Sequence, residues 1–323
     1  MADTNIATAE ALPGLDDRGG ITPAAERAIA RDLSPPIAWP TLALAVLLPA
    51  SYGLIAWAGI TGRIPLWLGT IMLPPICYAH YTLVHEAIHA NILAAYPRLR
   101  GLETVIGWIG SMAIIMPYPI LRRTHLLHHA HLNVEGKDPD LHVKGTFLQL
   151  LGKWLRFTPF VLLPPPLFLT LGLDKVPAIG NYTRLAKSIL TEAEYRQVTI
   201  AGYCQLTFLA LSIVTGNFVL WLMLWFIPQR IAAIILNTVF QWLPHHPFDT
   251  TERYRSARIS LWPGGDLLTL WQNLHLVHHL WPSVPFYRYR RFYTALKPLL
   301  IARHARFEGL MVGPYTVTKS PDA

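Results

Sequence analysis

Charge is scarce in this chain. Of its 323 residues only 14% are Asp, Glu, Lys or Arg, against 52% hydrophobic, a balance unlike that of a water-soluble domain of this length. Cysteine is scarcer still. The two residues, Cys77 and Cys204, lie in apolar stretches and form no CxxC pair, which excludes a disulfide framework and a thiolate metal site and leaves two buried, inert thiols. The chain also lacks a flavin or nicotinamide glycine fingerprint and a recognisable haem-binding domain, so electrons for any redox chemistry must come from outside. No apolar stretch falls near residues 10 to 20, where a cleavable signal would place it. The net charge of +8 does not come with basic residues interleaved with aromatics, so no nucleic-acid partner is expected.

What the chain does have is long hydrophobic runs. A helix needs about 20 apolar residues to cross a bilayer, and four runs qualify: Ile37 to Ile60, Ile64 to Val84, Val198 to Val214 and Phe218 to Phe240, the last broken by Pro228-Gln229-Arg230. The fold class expected is an all-α integral membrane protein with about four transmembrane helices plus interfacial helices and a cytoplasmic-side histidine-rich cap. Val105 to Met116 is too short to span before Pro117 and Pro119, and is read as interfacial or re-entrant. Leu155 to Leu173, interrupted by Pro159 and Pro164-Pro165-Pro166, is read as interfacial. Residues 1–36 are polar and small and are expected to form a flexible tail. The membrane domain covers residues 37–310, and residues 311–323 form a C-terminal tail.

The basic residues, among them Arg122, Arg123, Lys137, Lys153, Arg258, Arg288, Arg290 and Arg291, fall on one side of this topology. By the positive-inside rule that side is cytoplasmic, in a multi-pass protein of a bacterial inner membrane. The aromatic stretch Trp281 to Tyr293 reads as an interfacial belt among membrane lipids.

Fourteen histidines carry the chemistry through their spacing. Eight fall into three boxes: His85-Glu-Ala-Ile-His89, His125-Leu-Leu-His128-His129 and His275-Leu-Val-His278-His279. Positions i, i+3 and i+4 of a helix share a face, so each box can aim its imidazoles at a common point. Neutral imidazole ligates iron, copper or zinc, and eight nitrogens suit two metal ions better than one. A ninth candidate is His245, preferred over its neighbour His246. Glu86, Asp138 and Asp140 stand where a carboxylate can hydrogen-bond a ligand histidine and fix its tautomer, although both aspartates also suit a turn around Pro139. His80, His131, His142 and His304 are read as packing or surface residues. The first box also satisfies HExxH, the signature of a zinc hydrolase with Glu86 as general base. That intramembrane metalloprotease would leave six boxed histidines without a role.

HxxxH, HxxHH and HxxHH on four crossings resembles the membrane fatty acid desaturase and hydroxylase superfamily of di-iron enzymes, over about residues 75 to 300. The runs Leu243-Pro-His-His-Pro-Phe248, Gln272-Asn-Leu-His-Leu-Val-His-His-Leu-Trp-Pro-Ser-Val-Pro-Phe-Tyr287 and His125-Leu-Leu-His-His-Ala-His-Leu-Asn133, with Asp138-Pro-Asp140, are most similar to desaturase-like β-carotene hydroxylases. Many acyl-lipid desaturases instead begin the third box with Gln where this chain has His275. Two departures stand beside candidate ligands: Glu86 replaces the usual Asp, and His246 replaces an Arg. The resemblance implies two iron ions, dioxygen as co-substrate, a ferredoxin-like external electron donor, and attack on an unactivated C–H bond of a lipid-soluble substrate. Oxygen rebound would give an alcohol and loss of a second hydrogen a double bond. The expectation is hydroxylation of a carotenoid ring, with an acyl-lipid desaturase as the alternative.

Overall fold

The structure, a computed structural model, describes residues 22–114, 116–157, 175 and 184–309. The described part is mostly helical. Three helices are long and apolar enough to cross a membrane: α2 (Trp39–Ile60), α7 (Glu192–Val214) and α8 (Phe218–His245). Trp57, Leu54 and Val46 on α2 and Ile200 and Leu211 on α7 are exposed, as lipid-facing side chains would be. A fourth helix, α3 (Leu66–Ile88), has the length at 23 residues. It is less apolar, because its second half carries His80, Thr82, His85 and Glu86, all buried inside the protein.

The short run after α3 folds as a hairpin. Helix α4 (Arg100–Met112) runs antiparallel to α3, and α5 (Tyr118–His131) returns to the end of α3. Close approach explains the glycines. A Cβ on Gly110 would lie 2.7 Å from the His80 carbonyl, and one on Gly107 would lie 2.3 Å from the Tyr118 ring. With 13 residues, α4 is too short to span. Arg230 Nη2 on α8 donates to the Ile114 carbonyl near the hairpin's tip at 3.5 Å; a buried backbone carbonyl at a turn needs such a partner.

Beyond α8 the chain builds a cap. A parallel pair of short strands, β1 (Arg258–Ser260) and β2 (Arg306–Glu308), is the one sheet among the described residues. It packs with α9 (His275–Leu280) and α10 (Tyr289–Ala302) around Leu276, Val277, Tyr289, Phe292 and Leu296. The stretch Trp281 to Tyr293 is therefore not an interfacial belt. Phe286, Tyr289 and Phe292 are core residues of the cap, because the turn at Phe286–Arg288 folds them back under α9. Arg258 is not a surface charge either. It is buried, donating to Glu308 and to the His246 carbonyl. Cys77 is buried as expected, whereas Cys204 is exposed on α7.

The flexible-tail expectation fails for the part of residues 1–36 that is described. Helix α1 (Pro23–Asp32) starts at a Thr22 cap and docks on the cap core through Ala25 and Ala30. Its Glu26, 1% exposed, accepts from Trp281 Nε1 at 2.5 Å, Arg253 Nη2 at 2.9 Å and Tyr254 Oη at 2.9 Å. A buried carboxylate with three donors is tolerated because its lone pairs are filled. Glu26→Ala leaves those donors unpaired and is expected to destabilise the cap by about 1–3 kcal/mol. Thermal unfolding in detergent checks this; an unchanged Tm would count against the docking. Residues 1–21, the stretch from 158 to 173 and the tail 311–323 lie outside the described residues.

Candidate metal centre

The three boxes sit where helices end. His85 and His89 close α3, and His125, His128 and His129 occupy the last two turns of α5. His245 ends α8, while His275, His278 and His279 make up half of α9. Their ring nitrogens collect in two adjoining groups. One contains His85, His89, His125 and His278, the other His128, His245, His275 and His279. In the first, His85 Nε2 lies 3.0 Å from His278 Nε2, and His89 Nε2 lies 2.9 Å from His125 Nε2. His129 joins it, with Nε2 2.8 Å from that of His278 and 3.1 Å from that of His125. In the second, His245 Nε2 lies 3.2 Å from that of His128 and 3.1 Å from that of His275, which is 3.1 Å from that of His279.

Each HxxHH box therefore does not converge on one point but divides. His125 and His129 serve the first group and His128 the second; His275 and His279 serve the second group and His278 the first. At about 100° per residue, positions i+3 and i+4 fall on opposite sides of i. The i, i+4 pair shares one group and the i+3 residue reaches the other. His246 takes no part: its ring lies against Trp242, 4.8 Å between centroids. His80 Nδ1 donates to the Ile76 carbonyl within its own helix, and His131, His142 and His304 lie outside both groups.

This donor set fits two transition-metal ions. A cation about 2.0–2.1 Å from each imidazole nitrogen holds neighbouring nitrogens about 3 Å apart when the ligand angle is near 90°, as found here. Without a cation, imidazole nitrogens facing one another at this spacing cannot all be satisfied, since each neutral ring has a single N–H. Burial, reinforced by neighbouring imidazoles, holds His89, His125, His129, His275, His278 and His279 well below the ordinary histidine pKa. Their lone pairs are thus free for a metal. Burial also pushes His128 down, but Asp140 and Asp138 outweigh it and its pKa is raised.

Partners on Nδ1 orient several rings. Asp138 Oδ1 lies 2.9 Å from His128 Nδ1, and Asp140 Oδ2 is farther, at 3.7 Å. Asp138 also caps the turn Pro139–Val143 by accepting from Asp140 N, so the two readings of this aspartate describe one residue. His245 Nδ1 faces the Ser256 carbonyl at 3.3 Å. Tyr289 Oη lies 3.0 Å from His278 Nδ1, a partner that no histidine spacing could reveal. Glu86 stands on the Nδ1 side of His85, the side from which a carboxylate orients a ligand histidine, though beyond hydrogen-bond distance. Its Oε1 accepts from Phe286 N at 3.3 Å and is 3.8 Å from His85 Nδ1, behind the ring rather than on the side where the Nε2 atoms meet. A general base on a metal-bound water, as a zinc hydrolase requires, would face the Nε2 side.

Comparison with known proteins agrees with this constellation. The family model described as fatty acid desaturase matches residues 61–308. The chain is 30% identical over 246 residues to the sn-2 acyl-lipid omega-3 desaturase (ferredoxin), chloroplastic, of Helianthus annuus, an alignment covering 69% of this chain and 53% of that protein. It is 31% identical over 246 residues to the chloroplastic omega-3 fatty acid desaturase of Sesamum indicum, with 69% and 53% covered. To the endoplasmic reticulum omega-3 fatty acid desaturase of Nicotiana tabacum it is 27% identical over 245 residues, with 69% and 62% covered. The chain spans about half the length of the first of these relatives. These relatives are named for acyl-lipid or fatty acid desaturation. The chain belongs to the fatty acid desaturase family.

Proposed function

We propose that this protein is a membrane di-iron oxidoreductase that introduces a double bond into an acyl chain of a lipid. The observation that carries the reading is the pair of histidine groups at about 3 Å nitrogen spacing, in a chain of the fatty acid desaturase family. His85, His89, His125, His129 and His278 would hold one iron, and His128, His245, His275 and His279 the other. Bound iron supplies the activation of dioxygen needed to remove hydrogen from an unactivated carbon. The balanced reaction takes a saturated CH2–CH2 unit, one dioxygen, two electrons and two protons to a CH=CH unit and two waters.

The protein's own residues perform the rest. Asp138 and the Ser256 carbonyl fix His128 and His245 in the tautomer that presents Nε2. Phe240 and Tyr81 cover the histidines on the side of the apolar helices and exclude water from the reacting carbon. Helices α2, α3, α7 and α8 cross the membrane, with the cap and its basic residues on the cytoplasmic side. That basic face steers an acidic, ferredoxin-like donor.

The test is expression with ferredoxin and its reductase in two bacterial hosts, one with monounsaturated membrane lipids and one accumulating β-carotene. A new double bond in the acyl chains with unchanged pigment is expected. Hydroxylated pigment beside unchanged acyl chains would overturn the assignment and restore the carotenoid reading.

A further inference from the structure

An alkyl chain offers no polar handle, so the carbon that reacts is selected by shape, by whichever apolar side chain the methylene chain rests against beside the metals. The rings around the histidines single out one candidate. Phe240 lies in the π-helical stretch Asn237–Trp242 of α8, shortly before His245. A π turn widens the helix and re-aims its side chains, commonly at functional sites. The ring centroid of Phe240 is 5.2 Å from His85 and 6.3 Å from His125 in the first histidine group, and 5.0 Å from His275 in the second. Among the described residues it is the one aromatic ring, histidines aside, in contact with both groups. Tyr289 and Phe248 each touch one.

Tyr81, one turn before His85 on α3, meets the Phe240 ring edge-on at 4.7 Å and lies 6.2 Å from His85. Both side chains are buried, and both extend from the two longest helices leading from the apolar part of the protein to the histidines. The pair thus packs between the apolar helices and the imidazole of His85.

We propose that Phe240, braced by Tyr81, is the specificity-determining residue that sets which carbon of a membrane-borne alkyl chain lies against the two histidine groups. The identity of that chain as acyl rests on the function proposed above; the position of the ring does not. Shortening Phe240 removes the ring that the alkyl chain would rest against, and the chain can then settle at more than one register.

Two measurements on the full chain test this. In phosphatidylcholine nanodiscs carrying a diazirine at a defined mid-chain carbon, photolysis is expected to label Phe240, Tyr81 or their immediate neighbours, as located by peptide mass spectrometry. Labelling confined to outward residues such as Leu54 and Trp57 would overturn the proposal. In the desaturation assay, Phe240→Leu, which keeps an apolar side chain, and Phe240→Ala are expected to retain the wild-type iron content while relaxing positional selectivity about tenfold or more, the scale on which a missing methylene discriminates in an apolar pocket. Less product with its double bond unmoved would also overturn it. If the wild type makes no unsaturated lipid but the photolabel still lands on Phe240 and Tyr81, the reaction assigned above fails and the positional inference stands.

Discussion

Substituting His245 by alanine is expected to remove one of about two irons per chain and abolish product formation, whereas His246→Ala should retain both irons and most of the activity. The two residues are adjacent, but only His245 points its Nε2 at the second histidine group, 3.2 Å from His128 and 3.1 Å from His275. It is 1% exposed, and its removal leaves three imidazoles and a cavity where the fourth stood. An ion of this type relies on ligand number as well as ligand kind, so three nitrogens in a site shaped for four retain it poorly. His246 has its ring against Trp242 and its Nδ1 without a partner. What the fold takes from it is the backbone carbonyl that accepts from Arg258, which alanine preserves. Metal analysis of the purified variants, with lipid analysis of the expressing cells, separates the two. Equal iron loss in both, or full iron in His245→Ala, would sink the assignment of the ninth histidine.

That contrast also marks how far the sequence was legible. The eight boxed histidines could be read directly, because a ligand pair on a helix must recur at i+3 or i+4. So could the three helices long and apolar enough to cross a membrane, since spanning length leaves a run of apolar residues, whereas α3 has the length with a polar second half. His245 has no such regularity; it completes its group by folding back over 30 residues to meet His275, and only the relative placement of α8 and α9 shows this. The boxes were misread in one respect. Expecting each to aim at a single point overlooks the angle between i+3 and i+4, which here sends His128 away from His125 and His129. Residues that act across long sequence separations were opaque for the same reason. Glu26 finds its donors in Arg253, Tyr254 and Trp281, and Tyr289 finds His278, through tertiary packing that no local pattern encodes. The aromatic run after Trp281 has the composition of a membrane belt, but the parallel strands and α10 enclose it.

Two ligands of the second histidine group, His128 and His245, are also oriented by one run of hydrogen bonds through Asn133, and cutting it should weaken metal binding without removing a ligand. Asp138 receives His128 Nδ1 on Oδ1 and the Asn133 backbone N–H on Oδ2 at 2.8 Å. Asn133 in turn donates its side-chain amide to the carbonyls of Thr250 and Ser256 at 2.8 and 2.9 Å, and the Ser256 carbonyl is the partner of His245 Nδ1. One strand of contacts thus runs from His128 to His245 through the turn that follows α5. Asp138→Ala is expected to lower metal affinity at this group by about 10–100-fold, the usual effect of removing a carboxylate behind a ligand histidine. Asp138→Asn should fall between it and the wild type, because an amide oxygen still accepts but carries no charge. Asp140→Asn should do less, since its carboxylate is 3.7 Å from the same nitrogen. The informative variant is Asn133→Gly. Asn133 has φ of 60°, which glycine adopts without strain, so the substitution deletes the amide while keeping the turn. If the chain of contacts orients His245, iron at the second group becomes easier to remove with chelator in Asn133→Gly while the first group is unaffected. Chelator release at the wild-type rate from both groups would show that packing alone holds His245 in place.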